Sequence, residues 1–126
     1  MKKIITTPNA PAPIGPYNQA TLFGSTLYTS GQIAIDPATG ELFKGSIEEE
    51  TALVMNNLKA VLKAADMTFE NVVKTSIFVC DMKNFGKING VYGNYFNEAT
   101  APARETVEVA NLPKYVNVEI SAIAIK

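Results

Sequence analysis

The segment from Asn71 to Cys80, Asn-Val-Val-Lys-Thr-Ser-Ile-Phe-Val-Cys, constrains the fold more than any other stretch of the chain. Its β-branched content predicts a strand. Val73, Thr75, Ile77 and Val79 fall on one side, and Val72, Lys74, Ser76, Phe78 and Cys80 on the other. Both sides carry apolar groups, so both need cover. A chain of 126 residues, one domain (1–126) by length, has to find that cover.

Two predicted helices cover one side. Ser46-Ile-Glu-Glu49 has the form of a capping box, and the helix that follows runs from about Ile47 to Ala65. Val54, Met55, Leu58, Val61, Leu62 and Ala65 form its apolar stripe. The second helix runs from about Asn84 to Glu98, with Phe85, Ile88, Val91, Tyr92, Tyr95 and Phe96 on its stripe. Gly86, Gly90 and Gly93 each cost about 1 kcal/mol there, a cost that is tolerable if the helix backbone packs tightly on the sheet. Asn89 borders that stripe and needs a polar partner, either a backbone group or a ligand.

The other predicted strands are short. Lys3 to Thr6 is the first. Pro8 to Pro16 holds four prolines and a glycine and reads as a loop that delivers Tyr17. Asn18 to Phe23 and Thr26 to Ile35 form a hairpin about Gly24-Ser25, closed by the turn Asp36-Pro-Ala-Thr-Gly40. Arg104 to Ala110 and Val116 to Ile125 complete the set. The order of elements indicates an α+β domain with both helices on one face of its sheet. The opposite face then lacks cover, which predicts a homo-oligomer with sheet packed on sheet and sites between subunits.

Composition narrows the chemistry. A net charge of −1, with no cluster of lysines, gives no footprint for nucleic acid or an anionic membrane. No apolar run approaches the roughly 20 residues of a membrane span, and no signal peptide is evident. The single cysteine, Cys80, excludes an intrachain disulfide and fits a reducing cytoplasm. With no histidine and one cysteine, imidazole catalysis and the usual zinc sites are excluded. No phosphate-binding glycine loop or dinucleotide fingerprint is present. No metal and no cofactor are expected; carboxylates, hydroxyls, amides, water and one guanidinium remain.

That guanidinium is Arg104, the only arginine among eleven basic residues. It follows Pro102 and opens an alternating strand, where a planar fork of donors suits a carboxylate. It could equally form a surface ion pair with Glu105 or Glu108. Within Thr29-Ser-Gly-Gln32, Gly31 interrupts an apolar strand. This marks a bulge or a close approach, and leaves the Ser30 hydroxyl and the Gly31 N–H available to a small polar ligand. Glu119 sits mid-strand on a face that turns apolar toward its end. It is either an exposed strand glutamate or a carboxylate whose pKa is raised by desolvation at an interface. Cys80 lacks a base and reads as a packed hydrophobe.

Taken together, Ile14-Gly-Pro-Tyr17, Thr29-Ser-Gly-Gln32, Asp36-Pro-Ala-Thr-Gly40, Ala101-Pro-Ala-Arg104, Val107-Glu-Val-Ala110 with Leu112-Pro113, and Val118-Glu-Ile120 resemble the reactive-intermediate deaminase (Rid, or YjgF) family along the whole chain. The resemblance implies a chorismate-mutase-like fold with a mixed sheet, a homotrimer with a central β-barrel, and three clefts between subunits. It implies hydrolysis of 2-imino acids, such as 2-iminobutanoate and 2-iminopropanoate, to 2-oxoacids and ammonia in the cytoplasm. By its motifs, Arg104 would bind the substrate carboxylate and Glu119 would handle water and protons. Tyr17, Ser30, Gly31 and Asn89 would line the cleft. Many relatives carry a cysteine two residues after the arginine, whereas this chain has Thr106, which shares the face of Arg104 while Glu105 points away. Two other readings are a non-enzymatic trimer that binds or senses small carboxylates, and a ribonuclease, for which the chain offers neither histidine nor a basic groove.

Overall fold

The computed structural model describes residues 1–126. Strands β1 (Lys3–Ile5), β2 (Ala20–Phe23) and β3 (Thr26–Thr29) precede helix α1 (Ile47–Ala64); β4 (Val72–Val79), α2 (Phe85–Tyr92), β5 (Ala103–Glu108) and β6 (Val118–Ile125) follow. The strands form one mixed sheet in the order β1-β2-β3-β6-β4-β5, antiparallel except for the parallel pair β4–β5. The α+β class and the placement of both helices on one face match the expectation: Val54, Met55, Leu58, Val61 and Leu62 of α1, with Ile88 and Tyr92 of α2, share one core with Ile77, Val79, Val118, Ile120, Ala122 and Ala124.

Local chemistry sets the ends of α1. Ser46 Oγ accepts from the Glu49 amide at 3.1 Å, and Glu49 Oε1 accepts from the Ser46 amide, which closes the expected capping box. The proline-punctuated loop is ordered by a residue that the sequence did not single out. The buried Gln19 side chain accepts from Thr7 N at 2.7 Å and donates to the carbonyls of Thr7, Ala10 and Pro11.

Several boundaries and orientations differ from the sequence reading. Strand β3 stops at Thr29, because Thr29 Oγ1 takes the Ala122 amide and pairing resumes only at the Gln32–Ile120 bridge. One extra residue between these pairs bulges the chain at Ser30-Gly31. A register shift between Val72 and Lys74 turns Val72 inward and leaves Val73 exposed, the reverse of simple alternation. Helix α2 ends at Tyr92 and passes into a 3-10 turn, Gly93–Tyr95. Its glycines do not pack on the sheet: a Cβ at Gly86, Gly90 or Gly93 would meet nothing within 4 Å.

Asn57 is buried mid-helix in α1. Its amide donates to the carbonyls of Ile33 (3.2 Å) and Ile35 (3.0 Å), replacing the strand pairing lost after the bulge. Asn57→Leu leaves the Ile35 carbonyl without a donor, while the Ile33 carbonyl keeps the Ile35 amide at 2.8 Å, and is expected to cost about 1–3 kcal/mol, measured by urea denaturation.

The second side of β4 is only partly covered. Ile33, Ile35, Leu112 and Val116 pack against Phe78 and Cys80. Elsewhere on that face Ile4, Phe23, Tyr28, Val107 and Ile125 remain 41–61% exposed, an apolar surface larger than scattered single residues make.

Candidate active site

The parallel register pairs Thr75 with Arg104 and Ile77 with Thr106, so Arg104 and Thr106 share the helix side of the sheet, as alternation predicts. Arg104 Nη1 donates to Asn89 Oδ1 at 2.7 Å. Its Cζ lies 4.9 Å from the Tyr92 ring centre and 5.6 Å from that of Phe85, so two aromatic faces on α2 flank the cation. Tyr92 is itself held by a 2.7 Å hydrogen bond between its hydroxyl and that of Thr75. Burial raises the Tyr92 pKa, while the Thr75 bond and the Arg104 charge pull it back.

The surface ion-pair reading of Arg104 fails. Glu105 points to the other face, where it pairs with Lys74 at 2.7 Å and bonds Ser76; Glu108 accepts from the Met82 amide. Arg104 is oriented by an amide and two rings but has no carboxylate partner. Beside it Thr106 Oγ1 is buried without a hydrogen-bond partner. Arg104, though not Thr106, lines a cleft of about 580 Å³ together with Asn89, Tyr92, Phe96, Glu98 and Pro102.

Tyr17, Ser30, Gly31 and Glu119 converge on a different recess, of about 500 Å³, which Ile14, Pro113 and Lys114 complete. Ser30 Oγ donates to the Asn18 carbonyl at 2.5 Å, and the Tyr17 hydroxyl accepts from the Ile14 amide at 3.2 Å. Glu119 is half-buried against the bulge, and desolvation raises its pKa above the ordinary glutamate value. The bulge is thus present at Gly31, and the group that approaches the glycine is the Glu119 side chain rather than another backbone. A Cβ on Gly31 would lie 2.7 Å from Glu119 Cδ and Oε2. Gly31→Ala is therefore expected to displace the carboxylate and lower any activity that uses it about 10-fold to 100-fold, with the fold retained by circular dichroism.

The seven residues therefore form two groups. Glu119 pairs with Phe78 in register and lies on the sheet face opposite Arg104, so a single chain does not bring the two together. Sequence reading missed Tyr92 and Phe85 as flanks of the guanidinium and Lys114 as a wall of the recess. Only the helical spacing of Phe85, Asn89 and Tyr92 hinted at the first two. Another cleft, about 630 Å³ between residues 36–44 and α1, contains none of the seven. His/Cys/Asp/Glu groupings able to hold a metal are absent, and no helix is long and apolar enough to cross a membrane.

A family model described as endoribonuclease L-PSP matches residues 7–126. The mouse 2-iminobutanoate/2-iminopropanoate deaminase is 45% identical over 126 residues, which is 100% of this chain and 93% of the mouse protein. The crystal structure of the Rid-family protein YyfA from Yersinia pestis matches with a TM-score of 0.96 at 47% identity, covering 100% of both chains. The crystal structure of E. coli TdcF with bound serine matches with a TM-score of 0.92 at 42% identity, covering 98% of each chain.

Proposed function

This chain belongs to the Rid (YjgF) family, the one described as endoribonuclease L-PSP, and on that premise we propose that it hydrolyses reactive 2-imino acids, 2-iminobutanoate and 2-iminopropanoate among them, to 2-oxoacids and ammonia in the cytoplasm. The observation that carries the reading is Arg104: a guanidinium held in place by Asn89 and two rings, bordering a cleft, with no carboxylate of its own chain to neutralise it. A small acid's carboxylate supplies that partner. The serine bound in E. coli TdcF agrees with a small amino-acid-like ligand.

In this reading the active protein is a homotrimer whose open sheet faces pack into a central barrel, covering the exposed Ile4, Phe23, Tyr28, Val107 and Ile125. Each active cleft takes Arg104, Asn89 and Thr106 from one subunit and Tyr17, Ser30, Gly31 and Glu119 from its neighbour. The separation of the two groups within one chain supports such sharing.

The protonated imine carbon is already electrophilic, so orientation and one proton-transfer group suffice. Arg104 grips the carboxylate, and the unpartnered Thr106 hydroxyl offers it a further hydrogen bond. Glu119 takes a proton from water as its oxygen bonds to the imine carbon, giving a tetrahedral amino alcohol. The same carboxyl then protonates the nitrogen, the C–N bond breaks, and the hydroxyl proton leaves as the 2-oxoacid carbonyl forms. One water is consumed and one ammonia released. The Gly31 N–H donates to the developing adduct, and Ser30 Oγ, whose proton goes to the Asn18 carbonyl, accepts from it.

The test supplies threonine and a threonine dehydratase, and follows 2-oxobutanoate. The purified protein should accelerate its release well above the spontaneous rate. No acceleration, with 2-oxobutanoate still bound, would leave the non-enzymatic carboxylate sensor. The family's ribonuclease description finds no basic groove or histidine in this chain.

A further inference from the structure

The first turn of α1 holds three carboxylates that suit the positive end of its dipole, and one of them, Glu50, is buried. Glu50 is only 5% exposed, and no cation approaches it, the chain's one ion pair being Lys74–Glu105. Its partners are both on Asn117: Oε2 accepts the backbone amide at 2.9 Å, and Oε1 accepts the side-chain amide at 2.7 Å. Burying a carboxylate against neutral donors alone is costly, and an apolar side chain would hold the helix on its core without that cost.

What the two bonds do is tie α1 to the segment that leads into Glu119. That segment is strained and lightly held. Lys114 and Tyr115 both take left-handed backbone angles (φ 55 and 56), unusual for residues with a side chain. The turn is closed by Tyr115 N donating to Leu112 O at 2.9 Å and by a long 3.4 Å bond from Val116 N to Pro113 O. Cys80 secures the far end, donating from Sγ to Val116 O at 3.3 Å and from N to Asn117 O at 3.2 Å. Pro113 and Lys114 wall the recess that holds Glu119, and Asn117 immediately precedes β6, two residues before Glu119. Released at Asn117, the strained turn can relax and carry Glu119 away from its seat beside Gly31.

We propose that Glu50, through its double hydrogen bond to Asn117, is a positioning residue that fixes the Glu119 carboxylate in the recess. The proposal rests on the reading of Glu119 as the proton-transfer group, and its tests separate the two. Glu50→Leu removes both acceptors and should lower kcat about tenfold while KM, governed by Arg104, stays within about twofold. Glu50→Gln should recover most of kcat: with the Asn117 amide turned over, the glutamine accepts from the backbone N–H and donates to Asn117 Oδ1. Asn117→Asp sets two carboxylates face to face and should lose activity, and the double variant Glu50→Gln/Asn117→Asp should regain it. Independently of turnover, the Glu119 carboxyl ¹³C resonance, assigned with Glu119→Gln, should shift in Glu50→Leu and return in Glu50→Gln. Should Glu50→Leu fail to fold, Asn117→Asp, at an exposed residue, carries the same comparison. An unmoved resonance with unchanged kcat, a loss confined to KM, or no recovery in the glutamine variants would each overturn the proposal. A wild type that lacks deaminase activity but shows the resonance shift would refute the functional reading alone.

Discussion

Arg104→Lys is expected to lower kcat/KM for 2-iminobutanoate about 100-fold, although the charge is kept. A lysine ammonium can attract a carboxylate but cannot meet both oxygens with parallel donors, stack between the Phe85 and Tyr92 rings, and still bond Asn89 Oδ1. Arg104→Ala removes the charge as well and should fall further. Both variants should stay folded, because the guanidinium lies outside the buried core and takes part in no ion pair. The dehydratase-coupled assay measures the rates, and calorimetric titration with 2-oxobutanoate measures the lost grip. Equal rates for wild type and both variants would remove the role given to Arg104.

The second large effect is at Glu119. Replacing it by glutamine keeps the shape and removes the proton-transfer group, so kcat should drop about 10²–10⁴-fold while 2-oxobutanoate still binds. Retention of full activity would sink the proposed mechanism. Stability should move the other way. Burial raises the folded-state pKa of Glu119 above its unfolded value, so the folded state binds the proton more tightly. The contribution to stability is therefore full in acid and is lost as pH rises through the folded pKa, where a desolvated charge works against folding. Glu119→Gln should accordingly raise Tm at pH 7 relative to wild type, and the gain should vanish below about pH 4. In an assembled trimer the neighbour's Arg104 would offset part of the desolvation, so the gain should be largest in an Arg104→Ala background.

Much of this arrangement was legible in the sequence because it obeys short-range rules. The capping box at Ser46, the apolar stripe of α1, and the shared face of Arg104 and Thr106 each follow from spacings of a few residues. The glycines of α2 misled for the same reason. Local propensity registers their cost, but only the packing reveals that they face open space, with Ile88 and Tyr92 carrying the contact with the core.

By itself the sequence determined the α+β class, the faces of β5 and β6, and a chemistry without imidazole, because period, capping and composition are properties of neighbours along the chain. Tertiary structure decided which partners the buried polar groups found: Gln19 in the proline loop, Asn57 on the 33–35 carbonyls, Glu50 on Asn117 across 67 positions of sequence. It also decided that Arg104 and Glu119 stand on opposite faces, since that depends on how β5 and β6 each register against β4. Hydrogen bonds at that range are selected by the shape of the assembled core, to which no local spacing refers.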